Sequence, residues 1–583
     1  MATQVTGAGG TTASFSNTPQ AKDDTFLYSE DATGVLVLNV LANDLGGAAK
    51  QLYSIDNSIP ESGLTATKTP SPIDLLTRDT TYSNDSAGLA GTTDTSLLGA
   101  RIWMASDGTI HYDTASIAGQ LQALSAGEVL VDKVTYAIQL GNGTLSWATA
   151  TVQFTGTNDK PDIHLVTTDS AAASLIETNS ALTKSGTLTV NDADVSDTVT
   201  ASVASVSLAG TLGGLNSAAV IGMMTVSPTS LTANPGETNN LGWTFNSAPQ
   251  AFDFLAVGET LTLTYTIKAD DGHTGTDMQT VTITINGTND APDITVGAGD
   301  SATASLTETN AALMKSGTLT VNDADLSDTV TPSVTSVSLA GTTGGLNSAA
   351  VLGMLTASPA SLAANPTDTH NLNWSFNSTP QAFDFLAQGE TLTLTYTIKA
   401  DDGHTGTDTQ TVTVTITGTN DAATVSSDAK SVSEGDTAAA LNTSGQLTIT
   451  DPDTGEAHVV AQTNAPGIYG DFSIDANGAW TYAGNGAHNE LIAGQIVTDT
   501  FTVTSQDGTA TGTVTVTITG TNDAATVSSD AKSVSEGDTA AALNTSGQLT
   551  ITDPDTGEAH VVAQTNAPGI YGDFSIDANG AWT

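Results

Sequence analysis

The tetrapeptide GTND occurs four times, at 156–159, 287–290, 418–421 and 520–523. The intervals are 131, 131 and 102 residues, which are domain lengths and far exceed those of solenoid repeats. Each copy closes a run of alternating residues: TATVQFTGTND, TVTITINGTND and, twice, TVTVTITGTND. One folding unit is therefore written several times over. The boundaries that follow are a flexible N-terminal segment 1–20, a divergent module 21–159, two long modules 160–290 and 291–421, a shorter module 422–523 and a partial copy 524–583. The partial copy repeats Ala422–Thr481 without a change as Ala524–Thr583. The fourth module continues past that point, as WTYAGNG and two further strands, so we expect the sequence to be a fragment cut within a repeat, with a last module unable to complete its own sandwich.

Within a module the local signal is β. In LTLTYTIKADDG, Leu261, Leu263, Tyr265 and Ile267 alternate with Thr262, Thr264 and Thr266. A period of two places one set on each face of a strand. Val281, Ile283 and Ile285 repeat the pattern after the turn ADDGHTGTD, which predicts a hairpin. β-branched threonine favours the extended backbone and keeps the outer face soluble. GTLTV (186–190), GQLTIT (445–450) and GAWTY (478–482) predict further short strands. Helical pattern is confined to short turns such as PQAFDFLAVGE (249–259). The fold class expected is all-β, a tandem array of Ig/cadherin-like Greek-key β-sandwich modules arranged end to end. The extra length of the two long modules falls around 208–240 and 339–371, as an elaborated loop or added strands.

Composition narrows the partners. Acidic residues outnumber basic ones 62 to 13, for a formal net charge of −49, and Arg78 and Arg101 are the only arginines. Such a surface repels phosphate backbones and anionic lipid, which argues against nucleic acid and membrane surfaces. Metal cations would balance the carboxylates economically; solvated disorder is the alternative. With 38% hydrophobic and 5% aromatic residues, many small cores suit the chain better than one large one. There is no cysteine, which is compatible with a large secreted protein that folds outside the cell. The first twenty residues lack a charged n-region and an apolar h-region, and no apolar run is long enough to span a bilayer. Export would rest on a signal elsewhere.

The motif set SVSEGD, GQLTITDPD, DANGAWTY, LIAGQIVTDTFTVTSQDG and GTVTVTITGTND of the fourth module resembles the VCBS repeat family. The two long modules match it at both ends, with GTLTVNDAD and the closing GTND. The first, with AKDDTFLYSEDATGVLVLNVLANDL, resembles the opening of bacterial cadherin-like modules. The resemblance implies exported proteins of Gram-negative bacteria, often giant adhesins of the RTX type sent out by type I secretion, in which Ig-like modules extend a binding tip from the cell surface and support adhesion or biofilm attachment. The glycine-rich calcium nonapeptides that often accompany such modules are not in this sequence.

The acids gather at loop positions beside strand ends. They are Glu177, Asp192, Asp194, Asp270, Asp271, Asn289 and Asp290 in the second module. Glu308, Asp323, Asp325, Asp401, Asp402, Asn420 and Asp421 are their counterparts in the third. The fourth has Glu434, Asp451, Asp453, Asp507, Asn522 and Asp523. Calcium takes six to eight oxygens from such groups. In Asp192-x-Asp194 an extended backbone would send both carboxylates to one side, and GTND sits where modules meet, so several Ca2+ ions are expected there. Cadherin-type modules, by analogy, clamp their junctions around metal in this way. The competing reading is turn chemistry, since Asp, Asn and Gly cap and tolerate left-handed backbone; at DDGH (270–273) the two stand level, whereas NDAD with GTND favours metal.

Trp243, Trp374 and Trp480 recur in equivalent strands, where a buried core role outweighs a sugar-stacking platform. His273 and His404 lack the further His or Cys that zinc needs and read as turn residues. No HExxH, GxSxG, phosphate-cradling or dinucleotide motif is present, and acid pairs that recur in every module point to structure over catalysis. The function expected is a calcium-stiffened structural and adhesive stalk. Its partner would be a glycan, a protein or an abiotic surface, with self-association between copies as a further possibility. The rival readings are an array that binds ligand through 208–240 and 339–371, and a spacer within a secreted multidomain enzyme.

Overall fold

Most of the alternating runs become strand; GQLTIT is the exception, broken at Leu447 and Thr448 into Thr443–Gln446 and Ile449–Thr450, which pair with different strands. The computed structural model of the chain describes residues 3–6, 12–15, 20–56, 74–80, 82–84 and 94–583. It is all-β, and its α-helix consists of single turns such as Ser217–Val220. No helix among the described residues is long and apolar enough to cross a membrane.

The second repeat shows the plan. The hairpin expected from the sequence forms between Thr260–Asp270 and Thr276–Asn286, in register from Thr260 opposite Asn286 to Asp270 opposite Thr276. Leu261, Leu263, Tyr265, Ile267 and Ala269 are buried, and the intervening threonines stay half-exposed. Thr198–Gly210 and Ser230–Thr232 extend this sheet on one side. Ala172–Ile176 extends it on the other, running parallel to Thr276–Asn286. The opposing sheet has the order Asp162–His164, Thr183–Asn191, Leu241–Asn246, Met224–Ser227. The apolar faces of both sheets meet in one core around Trp243, Phe245 and Tyr265. The third repeat has the same two sheets and an equivalent core around Trp374, Phe376 and Tyr396.

The elaborated segment 208–240 resolves into added strands and two consecutive short helical turns, Ser217–Val220 and Ile221–Met223. Met224–Ser227 and Ser230–Thr232 each take a sheet edge, and Asn216 caps Ser217–Val220 by accepting from the Ala219 N–H. The recurrent glycine of GTLTV also acquires a cause. The indole of Trp243 lies across Gly186, where a Cβ would collide with the ring, and Trp374 lies across Gly317 and Trp480 across Gly445 in the same way. Each indole is buried, as the core reading requires. The Trp243 and Trp374 Nε1–H groups donate to the carbonyls of Ser170 and Ser301 at 2.6 Å.

Further cores gather within 21–154 and 441–518. In the fourth repeat the buried Asp499 carboxylate accepts from the N–H groups of Ile468 and Tyr469 and from the Tyr482 hydroxyl, tying a loop to the core. Residues 524–583 form the same first sheet as 422–481. Without a facing hairpin, several of its apolar side chains stay open, although Ile576 is buried. Phe574 is 38% exposed and Leu543 39%, where Phe472 and Leu441, their counterparts of identical sequence context, are at 0%.

The chain divides into two compact units, Met1–Asp290 with Ala324–Asp328, and Ala291–Asp323 with Thr329–Thr583. The flexibility expected of 1–20 concerns residues that lie mostly outside the described ones. Of that segment Thr3–Thr6 and Thr12–Phe15 pair as antiparallel strands.

Candidate metal centres

Each letter of GTND has a distinct task. The glycine lets the chain leave the last strand. At Gly156, Gly287, Gly418 and Gly520 a Cβ would run into backbone carbonyls of the preceding turn, such as those of Leu255 and Ala256 at Gly287. The threonine hydroxyl donates to the early glutamate of its own repeat: Thr157 to Glu30 at 2.7 Å, Thr288 to Glu177 at 2.5 Å, Thr419 to Glu308 at 2.5 Å and Thr521 to Glu434 at 2.7 Å. The asparagine Nδ2–H donates to the carbonyl of the next residue, as in Asn158 to Asp159, Asn420 to Asp421 and Asn522 to Asp523. Asn289 makes the same contact with Asp290 at 3.4 Å.

The aspartate reaches into the following repeat. The Asp159 N–H donates to Asp194 Oδ2 at 2.8 Å, Asp290 to Asp325 at 2.8 Å, Asp421 to Asp453 at 2.9 Å and Asp523 to Asp555 at 3.0 Å. The accepting residue belongs to the DxD loop, and that loop is a turn, not the extended segment the sequence suggested. The Asp194 N–H folds back to Asp192 Oδ1 at 3.1 Å, and Asp453 and Asp451 do the same at 3.0 Å. A short aspartate side chain competes successfully for a nearby backbone N–H, which breaks strand geometry.

These bonds occupy one oxygen of each acid and aim the other inward. Glu30 Oε2, Glu177 Oε1, Glu308 Oε1 and Glu434 Oε2 are buried without a hydrogen-bond partner, as are Asp192 Oδ2, Asp194 Oδ1, Asp451 Oδ2, Asp453 Oδ1 and Asp555 Oδ1. Carboxylate oxygens converge to within 4.8 Å of one another in three places: Glu30, Asp159 and Asp194; Glu177, Asp253 and Asp290; Glu308, Asp384 and Asp421. Two oxygens bound to one calcium at about 2.4 Å each lie at most about 4.8 Å apart. Among the described residues no lysine or arginine forms an ion pair with these nine acids.

The electrostatic consequence is a set of strained carboxylates. Burial, and then the charges of Asp159, Asp192 and Asp197, push Asp194 up to about 7. Burial followed by Asp290 and Glu177 raises Asp253 to about 6, and burial followed by Asp421 and Glu308 raises Asp384 to about 6. Asp192 and Asp453 rise to about 6 for the same reasons, burial first. Asn310 Nδ2 donates to Asp421 Oδ1 at 3.2 Å and leaves Asp421 Oδ2 buried and without a partner; buried acceptor oxygens that face one another in this way are the chemistry that a hard cation satisfies.

The sequence-derived acids separate on this geometry. Glu177, Asp194, Asp290, Glu308 and Asp421 enter the clusters. Asp325, Asp453 and Asp523 take part in the amide contacts between repeats, and Glu434 holds Thr521. Asp192, Asp323 and Asp451 lie in the DxD loops, with Asp192 and Asp323 buried. Asp271 accepts from Asn158 Nδ2 at 2.9 Å and from the N–H groups of His273 and Gly275. Asp507 accepts from Asn420 at 3.2 Å, and Asp402 closes its turn by accepting from His404 and Gly406. Asp270 and Asp401 stay outside. They pair with Lys268 and Lys399 and accept from Gly272 and Gly403, so the first aspartate of ADDG is a turn residue. His273 Nδ1 lies 3.0 Å from Asp197.

Glu30, Asp159, Asp253, Asp384 and Asp555 were not singled out in the sequence. The first GTND carried the signal for Asp159. Asp253 and Asp384 recur 131 residues apart within QAFDFLA, where the eye follows the aromatics.

Residues 420–520 match the family model described as bacterial cadherin-like domain. No curated protein matches the chain. Similar solved structures include the protocadherin gamma B4 extracellular domain, at 13% identity and a TM-score of 0.35, covering 98% of this chain and 80% of that one. Domains 1–5 of protocadherin gamma B2 match at 13% identity and a TM-score of 0.36, covering 87% and 82%. Mouse cadherin-23 EC22–24 matches at 15% and 0.29, covering 62% and 99%.

Proposed function

We propose that this chain is a calcium-stiffened structural and adhesive stalk segment of a large bacterial surface or secreted adhesin. The observation that carries the reading is the recurrence, at the end of successive repeats, of buried carboxylate oxygens that no protein donor satisfies. Glu30, Asp159 and Asp194 would hold calcium at the first joint. Glu177, Asp253 and Asp290, with Asp325, would hold it at the second, and Glu308, Asp384 and Asp421, with Asp453, at the third. Bound calcium supplies positive charge and fills the acceptor oxygens. The protein supplies the positioning: threonine turns the glutamate, and the amide of the closing aspartate turns the DxD loop. The first site takes ligands from two consecutive repeats, and Asp453 would extend the third to the next repeat in the same way, so an ion bound there would oppose movement of one repeat against the other. The threonine-rich outer faces and the −49 charge keep such a stalk soluble. It would act outside the cell, exported by type I secretion, carrying a distal part to a glycan, protein or abiotic surface. The match of residues 420–520 to a bacterial cadherin-like domain supports this setting.

The test is thermal unfolding and small-angle scattering of the full chain with calcium and with excess chelator. A melting temperature that rises with calcium, together with a longer and stiffer particle, is the expected result. If neither moves, the clusters are turn chemistry and the calcium reading falls.

A further inference from the structure

The joints share a plan, but one position in it carries a cluster acid at only two of them. The turn before GTND is built by the same bonds each time. An N–H donates three residues back, from Leu124 to Leu121, Leu255 to Phe252, Leu386 to Phe383 and Leu491 to His488. The GTND glycine then donates to the residue four beyond that leucine: Gly156 to Glu128, Gly287 to Glu259, Gly418 to Glu390 and Gly520 to Gln495. These bonds make Gln122, Asp253, Asp384 and Asn489 structurally equivalent. Asp253 and Asp384 each send a buried Oδ1 toward their cluster without a hydrogen-bond partner. Asn489 Oδ1 is likewise buried and without a partner, so the fourth joint keeps an oxygen there but not its charge.

The count of acids follows. Glu177, Asp253, Asp290 and Asp325 serve the second joint, all within the first compact unit, and Glu308, Asp384, Asp421 and Asp453 the third. The first joint has Glu30, Asp159 and Asp194 with Gln122. The fourth has Glu434, Asp523 and Asp555 with Asn489. Asp31 and Asp436 add nearby charge at the first and fourth joints, but both are exposed and screened by salt. Calcium affinity follows ligand charge count.

We infer that the four joints form two calcium-affinity classes, set by the residue at positions 122, 253, 384 and 489. The second and third joints fill first, and the first and fourth need more calcium. This rests on the calcium reading above. Over an intermediate calcium range the second and third sites would then be filled while the first and fourth stay empty.

The experiment is hydrogen exchange of the full chain, read by mass spectrometry at the four GTND segments across a calcium titration. Protection at 287–290 and 418–421 should reach its midpoint at about tenfold less calcium than at 156–159 and 520–523. Asn489→Asp should bring the fourth midpoint down toward the inner pair and leave the others in place. Asp253→Asn should raise the second alone. Coincident midpoints, or an Asn489→Asp midpoint that does not move, overturn the two classes while leaving calcium binding intact. An absence of calcium-dependent protection at every joint overturns the calcium reading itself.

Discussion

The N–H of Asp421 donates to Asp453 Oδ2 at 2.9 Å, so the last residue of one repeat holds an interior loop of the next. The other oxygen of Asp453 is buried and without a partner. Asp453→Asn should therefore behave oppositely in two conditions. With calcium it removes a ligand charge, and the calcium-dependent rise in melting temperature shrinks by several degrees, in line with a loss of about 1–3 kcal/mol. In chelator it relieves like-charge crowding, and stability holds or rises. Loss of stability in both conditions would make Asp453 a plain hydrogen-bond acceptor.

Asp401 supplies the contrast. It is paired with Lys399 and accepts from Gly403 at the turn, away from the cluster. Asp401→Asn should leave the calcium midpoint unchanged and shift the melting temperature little, as expected of an exposed ion pair. A shifted midpoint on calorimetric titration would return Asp401 to the ligand set.

The pH dependence of the cation-free chain should run against the usual direction for acids. Asp192, Asp253, Asp384 and Asp453 stand at about 6 and Asp194 at about 7 in the folded state, against 3.8 as the ordinary value. Between about pH 4 and 7 the folded chain holds more protons than the unfolded one, so stability falls as pH rises through that window. In chelator the melting temperature should be higher at pH 5 than at pH 7.5. Saturating calcium should reverse the order, because binding needs ionised carboxylates. A chelated protein that is more stable at pH 7.5 would contradict the crowding described here.

The glycine beneath each core tryptophan is a sharper test of packing. In Gly186→Ala the new methyl meets the Trp243 indole, and that core should lose about 1–3 kcal/mol. Urea unfolding followed by tryptophan fluorescence would show a transition moved to lower denaturant, with the equivalent Gly317→Ala acting alike.

Identical sequence in two environments gives a prediction with its own control. Phe472 is buried by the facing hairpin Ile496–Thr504 and Thr511–Thr519, and Phe574 is not. Amides of 564–582 should exchange much faster than those of 462–480. Equal protection would mean that the sheet 547–582 is stable without a partner.

Much of this was legible from the chain. The hairpin of the second repeat was read from Leu261, Leu263, Tyr265 and Ile267, because a period of two has one geometric meaning. The tryptophans were read as core for a similar reason. The acid clusters were half legible. GTND and NDAD announced themselves by recurrence, but Asp253 and Asp384 did not. Their role depends on a turn folded back beneath GTND, and no local pattern encodes that approach. Asp270 and Asp271 are adjacent in sequence and differ in fate because strand alternation points one toward Lys268 and the other into the turn.

In each of these sandwiches the second strand lies parallel to the last: Ala172 beside Thr282, Thr303 beside Thr413 and Asp428 beside Val514. A chain gripped at both ends pulls those two strands past each other along their length. The hydrogen bonds between them are then loaded together in shear and cannot be opened one at a time. Under tension a repeat built this way should hold its length until the whole ladder gives at once, so that force spends itself one repeat at a time, at a rate set by the unfolding barrier.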